Sequence, residues 1–337
     1  MRLLLVHTGG TLMMHGSDAA PLKPDVYTRD LVAELPVLRK IAEIETHILY
    51  NLDSSDLQPH HWVEMARVIH GAFFGGGPRY DGAVIVHGTD TMAYTACALA
   101  FLLPGLDRPV ILTGSQAPLL DVRTDARANL VDACHLATMP IPEVAIAFDS
   151  QLLRGCRAKK LDTWGMSAFG SPSCAPLAEL GIDVELAAHV LPPRAPVAFD
   201  PRIEPRVFLL HTFPGLDPKV LDAILAEDVR GLVIEAFGAG NVPRLENSLV
   251  PAIEAATKKG VPVVMVSQSP RGAVDLARYE GGAAAARAGA ISAGDMTSEA
   301  ALTKLMIELG RAAGAPDVVA RVTEAFRGAG ALGEMAR

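Results

Sequence analysis

Short, continuous apolar runs alternate with amphipathic stretches along most of the chain. Leu3–His7 is such a run and ends at Gly9-Gly10; Ala83–His87, Val110–Thr113 and Val144–Phe148 repeat the form. Thr91–Leu103 and Asp125–Ala137 carry their apolar residues at helical spacing, and Glu45–Leu52 reads as a further strand. Strands apolar on both faces belong in a parallel sheet covered by helices on each side. A second series follows: strand Val207–His211, a helix near Pro218–Ala226, strand Leu232–Ala236, a helix near Asn247–Lys259, strand Val261–Val266, and a helical region from Thr297. The Gly/Ala-rich stretch Gly281–Gly289 reads as a loop. Between the series, Val190–Pro205 holds Pro192, Pro193, Pro196, Pro201 and Pro205 without periodicity, which suits a stiff connection. The expected fold is therefore α/β, as two three-layer α/β domains. The larger, residues 1–189, has a mainly parallel sheet with helices on both faces. A proline-rich linker (190–205) leads to a smaller parallel-sheet domain (206–337).

Ligands of such sheets sit beyond the carboxyl ends of the strands. That places Thr8–Thr11, Gly88–Thr91 and Gly114–Gln116 on the functional edge, since each follows a strand directly.

Length and composition narrow the class. A chain of 337 residues exceeds one ordinary core and suits two domains. Half of it is hydrophobic, with 30 Gly and 24 Pro, which is globular and loop-rich rather than disordered. The net charge of -8 provides no electrostatic footprint for nucleic acid, and no Lys/Arg run suits a membrane surface. Met1-Arg2 leads straight into Leu3-Leu4-Leu5-Val6, too short for a secretory h-region, and no run approaches the length that spans a bilayer. Cys97, Cys134, Cys156 and Cys174 form neither a Cys-x-x-Cys pair nor a metal-like spacing with histidine. They read as reduced thiols of a cytoplasmic protein. His60-His61 falls at a helix start, where adjacent residues do not share a face, so it is no ligand pair. No metal or cofactor is expected.

The chemistry-bearing segments are individually ordinary. Thr8-Gly9-Gly10-Thr11 alone is a tight turn; functionally, Gly10 would bring backbone close to a small substrate and leave the Thr11 hydroxyl exposed. A Thr hydroxyl becomes a useful nucleophile only beside a base that takes its proton. His87-Gly88-Thr89-Asp90-Thr91 lies at a strand-to-helix junction. It is either a simple cap or a set of N–H groups for a carboxylate or an oxyanion. Asp53-Ser54-Ser55-Asp56 alone is a polar turn. Lys160 alone is a surface charge, although a lysine in a site can act as a base once its pKa is depressed.

In this order the segments resemble the asparaginase/glutaminase family, specifically its bacterial cytoplasmic (type I) branch. Thr8-Gly9-Gly10-Thr11 resembles the first signature. Val86-His87-Gly88-Thr89-Asp90-Thr91-Met92-Ala93-Tyr94-Thr95-Ala96 resembles the second nearly residue for residue. Thr113-Gly114-Ser115-Gln116-Ala117-Pro118, Arg154-Gly155-Cys156-Arg157-Ala158-Lys159-Lys160, Ala168-Phe169-Gly170-Ser171-Pro172 and Phe237-Gly238-Ala239-Gly240-Asn241 match further blocks. The resemblance implies an amidohydrolase that converts L-asparagine to L-aspartate and ammonia through an acyl-enzyme. It implies Thr11 as the attacking residue, with Thr89, Asp90 and Lys160 as a supporting cluster. Asp90 would also bind the substrate ammonium, and Ser54 its α-carboxylate. Ser55 stands where some members carry Gln. Gly10, Gly88 and Ser115 would line the pocket, and Asn241 of a neighbouring subunit would touch the substrate end. A homodimer or homotetramer is expected by resemblance, with a small amino-acid amide as the partner molecule.

One departure stands out. The family carries a Tyr on the loop after the first signature, but anchoring on Pro21 puts Ala19 in its place. Tyr27 reaching back, or His15, is the candidate replacement. This favours a rival, a catalytically impaired amino-acid-binding protein on the same fold, whereas intact Thr11, Thr89, Asp90 and Lys160 favour an enzyme. A tRNA-dependent amidotransferase subunit would have an extra domain before the first strand, which here begins at Leu3. A dinucleotide enzyme is excluded because Pro243 stands where the third glycine of a fingerprint would be.

Overall fold

A computed structural model describes residues 1–15, 23–24, 31–77, 79–195 and 197–336, with the side chains of 13–15 and 23–24 left aside. Ala19 and Tyr27 lie outside the described residues, and so does the side chain of His15. Two compact units make up the chain, Met1–Phe199 and Asp200–Arg337.

The first unit is built on an eight-stranded sheet. Its order is Val184–Leu186, Ala178–Leu180, Gln151–Arg154, Val144–Phe148, Val110–Thr113, Gly82–Val86, Arg2–Gly9 and Glu43–Leu52. The last five strands of that order are mutually parallel. Leu3, Leu5, Val84, Val86 and Ile111 pack with Leu130, Ala133 and Leu136 of helix Ala126–Leu136. Their strand neighbours Leu4, Val6, Ala83 and Ile85 are buried as well, so both faces are covered. Period-2 geometry sends alternate side chains to opposite faces, which is why these strands read as unbroken apolar runs. Each fully buried side chain of this kind contributes about 1.5–3 kcal/mol.

The other three strands run antiparallel and were not legible as strands. The chain reverses at Asp149 and Ser150, whose φ values of +48° and +58° are left-handed. Two such residues form the primed turn that fits the twist of a hairpin. Helix Pro59–Phe74 also exceeds what the sequence suggested, since only its start near His60 was marked.

In the second unit four parallel strands, Val207–His211, Gly231–Ala236, Val263–Ser267 and Ile291–Ser292, lie side by side in chain order. The stretch expected as a loop at Gly281–Gly289 is instead helix Glu280–Arg287. A Cβ on Gly281 would lie 2.3 Å from Asn241 Oδ1, and one on Gly282 3.0 Å from the Leu276 carbonyl. The glycines therefore admit a close approach of helix to loop, while Ala283–Ala286 supply the helix propensity. Among the described residues no helix is long and apolar enough to cross a membrane.

Candidate active site

The order of the first sheet creates the site. From strand Arg2–Gly9 the chain passes to Glu43–Leu52 on one side, then returns to Gly82–Val86 on the other. Such a reversal opens a crevice beyond the carboxyl ends of the two flanking strands. The segments that leave those ends are Gly10–Thr11 and His87–Thr91.

Glycines let the segments touch. Gly9 and Gly10 have φ of +109° and +95°. A Cβ on Gly9 would lie 2.2 Å from the Leu52 carbonyl oxygen, and one on Gly10 2.5 Å from Gly88 Cα. A Cβ on Gly88 would lie 2.7 Å from Ser54 Oγ. Three strand ends thus pack backbone against backbone, and any side chain here would push them apart.

Opposite this contact stands a cation. Lys160 belongs to the short strand Lys159–Lys160, which pairs antiparallel with Phe169–Gly170. Its Nζ donates to Thr89 Oγ1 at 2.8 Å and to Asp90 Oδ1 at 2.7 Å. The lysine side chain is 17% exposed and that of Asp90 67%, so the carboxylate faces outward while the ammonium is largely enclosed. Charge-assisted bonds of this length fix both threonine and lysine.

The remaining candidates divide. Thr11 opens the single turn Thr11–Met13 and is half-buried, directly after the glycine that touches Gly88. Leu12 behind it is buried, and its carbonyl accepts from Leu119 N at 3.1 Å. Ser54 is buried and its carbonyl accepts from Thr91 Oγ1 at 2.7 Å, tying the second strand end to the third. Ser55 is exposed, and both its N–H and its hydroxyl are committed to Asp53 Oδ1 at 2.8 Å. Ser115 is buried and donates to the Ala117 carbonyl at 2.6 Å. Asn241 belongs to the second unit, where its N–H donates to the Phe237 carbonyl at 2.8 Å.

Four supporting residues were given no role from the sequence, although His87 and Gln116 belong to segments marked there. His87 is fully enclosed, and burial lowers its pKa to about 4, so the ring is neutral. Nδ1 lies 2.7 Å from the Gly88 carbonyl, which can only accept, so Nδ1 carries the proton. Nε2 then accepts from Thr95 Oγ1 at 2.8 Å, and that oxygen accepts from Trp62 Nε1 at 3.0 Å. Across a trans peptide the carbonyl and the following N–H point oppositely, so the Thr89 N–H is turned away from His87. Asp125 accepts from Gln116 N at 2.9 Å and Ala117 N at 3.1 Å, holding the loop after strand Val110–Thr113. Asn129 Nδ2 bonds Asp125 Oδ2 at 3.1 Å and the Gly114 carbonyl at 3.0 Å. Gln116 completes the group, with its oxygen 3.3 Å from Thr89 Oγ1. The available sequence signal was weak: an Asp at a helix start and an Asn one turn later read as an ordinary cap.

Comparison with known proteins follows the same outline. Residues 2–191 match the family model described as Asparaginase, N-terminal, and residues 206–322 match the Glutaminase/Asparaginase C-terminal domain. An L-asparaginase of Thermococcus kodakarensis is 40% identical over 92% of this chain and 93% of its own. L-asparaginase 1 of Escherichia coli K12 is 35% identical over 90% of each chain. The solved structure of L-asparaginase I from Vibrio cholerae superposes with a TM-score of 0.87 at 36% identity, covering 100% of this chain and 99% of that one.

Proposed function

The chain belongs to the asparaginase family and is an L-asparaginase-type amidohydrolase, and from this premise we propose how its residues carry the reaction. Thr11 Oγ attacks the side-chain amide carbon of L-asparagine. The C–N bond then breaks, the hydroxyl proton leaves with the amine as ammonia, and Thr11 is left as an ester of aspartate. Water attacks that ester, returns a proton to Thr11 and releases aspartate. No metal or cofactor enters either step.

The observation that carries this reading is the Lys160 ammonium on Thr89 Oγ1 and Asp90 Oδ1, at 2.8 and 2.7 Å. It is a relay of a cation, a hydroxyl and a carboxylate beside the glycine contact that carries Thr11. Asp90 is open enough to receive the substrate ammonium, and Ser54, seated against Gly88, receives the α-carboxylate. Fixing both ends of the amino-acid head places the reacting carbon and supplies much of the rate. The Thr89 N–H, turned away from His87, and N–H groups near Ser115 and Gly10 serve the oxyanion. Ser55 contributes by shaping the turn. Asn241 of a neighbouring subunit closes the substrate end, so the working form is a homodimer or homotetramer, in the cytoplasm. Light scattering together with loss of activity in Asn241→Ala would support this part, and an active monomer would refute it.

The first test is ammonia release from L-asparagine, L-glutamine and D-asparagine, beside Thr11→Ala. Release from L-asparagine that falls at least about 10³-fold in the variant is the expected outcome. No release above the variant, with asparagine still raising the melting temperature, would replace the enzyme with an amino-acid-binding protein. Ala19 at the place expected for the loop Tyr favours that outcome.

A further inference from the structure

We propose that Gln116 is a positioning residue for the reaction: it sets the direction of the Thr89 hydroxyl proton and couples it to the hairpin that carries Lys160. This rests on the reading of Thr89 as part of the reacting cluster.

Donor and acceptor chemistry leaves one arrangement. The Lys160 ammonium can only donate, so at 2.8 Å the Thr89 oxygen accepts from it. The Gly165 carbonyl can only accept, so the group 3.1 Å from it is the Gln116 amide nitrogen. The amide oxygen of Gln116 is thereby turned to Thr89, 3.3 Å away, and receives the hydroxyl proton. Protons along Lys160–Thr89–Gln116 all point one way. Thr89 is buried, so bulk water does not compete freely for this hydroxyl.

Bond lengths suit a resting position. Contacts of 2.8 and 2.7 Å hold the ammonium firmly, whereas 3.3 Å is at the weak end for a hydroxyl donor. A substrate acceptor at normal distance would draw the Thr89 proton off Gln116 with little loss, while Lys160 stays bound to the oxygen. Without Gln116 the hydroxyl would turn to other acceptors, and the relay would start from the wrong rotamer. Deleting it also leaves a buried hydroxyl without its acceptor.

The mount for Gln116 is rigid. Its backbone N–H is held by both oxygens of Asp125, at 3.1 and 2.9 Å. Gly165 sits in the turn between strands Lys159–Lys160 and Phe169–Gly170, where Asp162 Oδ1 accepts from Trp164 N at 2.8 Å. A Cβ on Gly165 would lie 2.6 Å from Asp162 Oδ2, so a side chain there would displace the Asp162 carboxylate that caps the turn. One amide thus joins the loop after strand Val110–Thr113, the Thr89 hydroxyl and the lysine hairpin.

The test compares Gln116→Leu, Gln116→Glu, Thr89→Val and Thr89→Val with Gln116→Leu in asparagine hydrolysis, with melting temperatures. Gln116→Leu is expected to lower kcat about 10- to 100-fold with KM within about threefold, the pattern of an interaction used in the transition state. Gln116→Glu keeps an acceptor oxygen, and is expected to recover part of kcat and to change the acid limb of the kcat–pH profile. The double variant should be no slower than Thr89→Val alone, because Gln116 acts through Thr89. Full kcat in Gln116→Leu, or additive losses in the double variant, would overturn the proposal. A loss of kcat that follows a lowered melting temperature and is not recovered by Glu would do the same. If wild type releases no ammonia, it is the amidohydrolase reading that falls.

Discussion

The two units share an architecture and differ at the carboxyl edges of their sheets. In the second unit the strands follow one another in chain order, and among the described residues no reversal opens a crevice. Its edge polar groups are spent on each other. Gln268 Nε2 donates to the Thr212 hydroxyl at 2.8 Å and the Glu235 carbonyl at 2.9 Å, and Ser267 Oγ donates to the Gly238 carbonyl at 2.6 Å. In the first unit the order reverses at strand Arg2–Gly9, and glycines hold the ends together without filling the space beyond them. Each unit also encloses a lysine paired with a carboxylate. Lys160 meets an Asp90 that is 67% exposed, whereas Lys304 meets a Glu334 that is 3% exposed. The lesson is that a polar strand edge becomes a site only when topology leaves a gap and the charges there remain accessible.

The lysines test that distinction most strongly. Lys160→Met should lower kcat on the order of 10³-fold while the melting temperature stays nearly unchanged, because its carboxylate partner can return to solvent. A variant retaining more than about a tenth of wild-type kcat would remove Lys160 from the mechanism.

The second unit should respond in stability. Glu334→Ala strips Lys304 Nζ of a 2.7 Å partner inside the protein, and breaking a buried pair costs about 3–5 kcal/mol. Denaturant unfolding would show it, and kcat of the folded fraction should not move. A change below about 1 kcal/mol would mean that the pair is poorly coupled to folding.

Acid provides the finest separation. Burial lowers His7 and His87 to about 4, from an ordinary 6.5, and both lie on the edge of the first unit. The second unit has one histidine, His211, whose side chain is 61% exposed. Below pH 6.5 the unfolded chain binds protons that the folded rings do not, so stability falls as pH drops towards 4. The loss is on the order of 3–4 kcal/mol per ring at most, since each pKa unit is about 1.4 kcal/mol. Hydrogen-exchange protection should therefore decline in strand Arg2–Gly9 before strand Val263–Ser267 between pH 6.5 and 4.5. Equal decline in both strands would contradict it.

Much of this is legible in the sequence. Four of the five parallel strands of the first unit announced themselves as apolar runs, because burial on both faces removes alternation, whereas Glu43–Leu52 ends the sheet and is largely exposed. The segments at their carboxyl ends were marked for the same reason, since a parallel sheet gathers those ends on one edge. The errors have a common cause. Asp149-Ser150 turns the chain through two left-handed residues that are not glycines, so the hairpin had no familiar punctuation. Gly281 and Gly282 looked flexible, but their role is to let Asn241 and Leu276 come near.

The resemblance of its motifs to the asparaginase/glutaminase family implied Thr11, Thr89, Asp90 and Lys160 as candidates, while the chain's local order determined its α/β class and the edge on which chemistry sits. Periodicity and spacing are properties of neighbours, and these features depend on neighbours. Tertiary structure alone decided that Lys160 reaches Thr89 at a separation of 71 positions, that Gln116 reaches Gly165 at a separation of 49, and that Asp125 holds the loop carrying Gln116. Such contacts follow from how strands order and register in the sheet, a cooperative outcome of packing that no window along the chain contains.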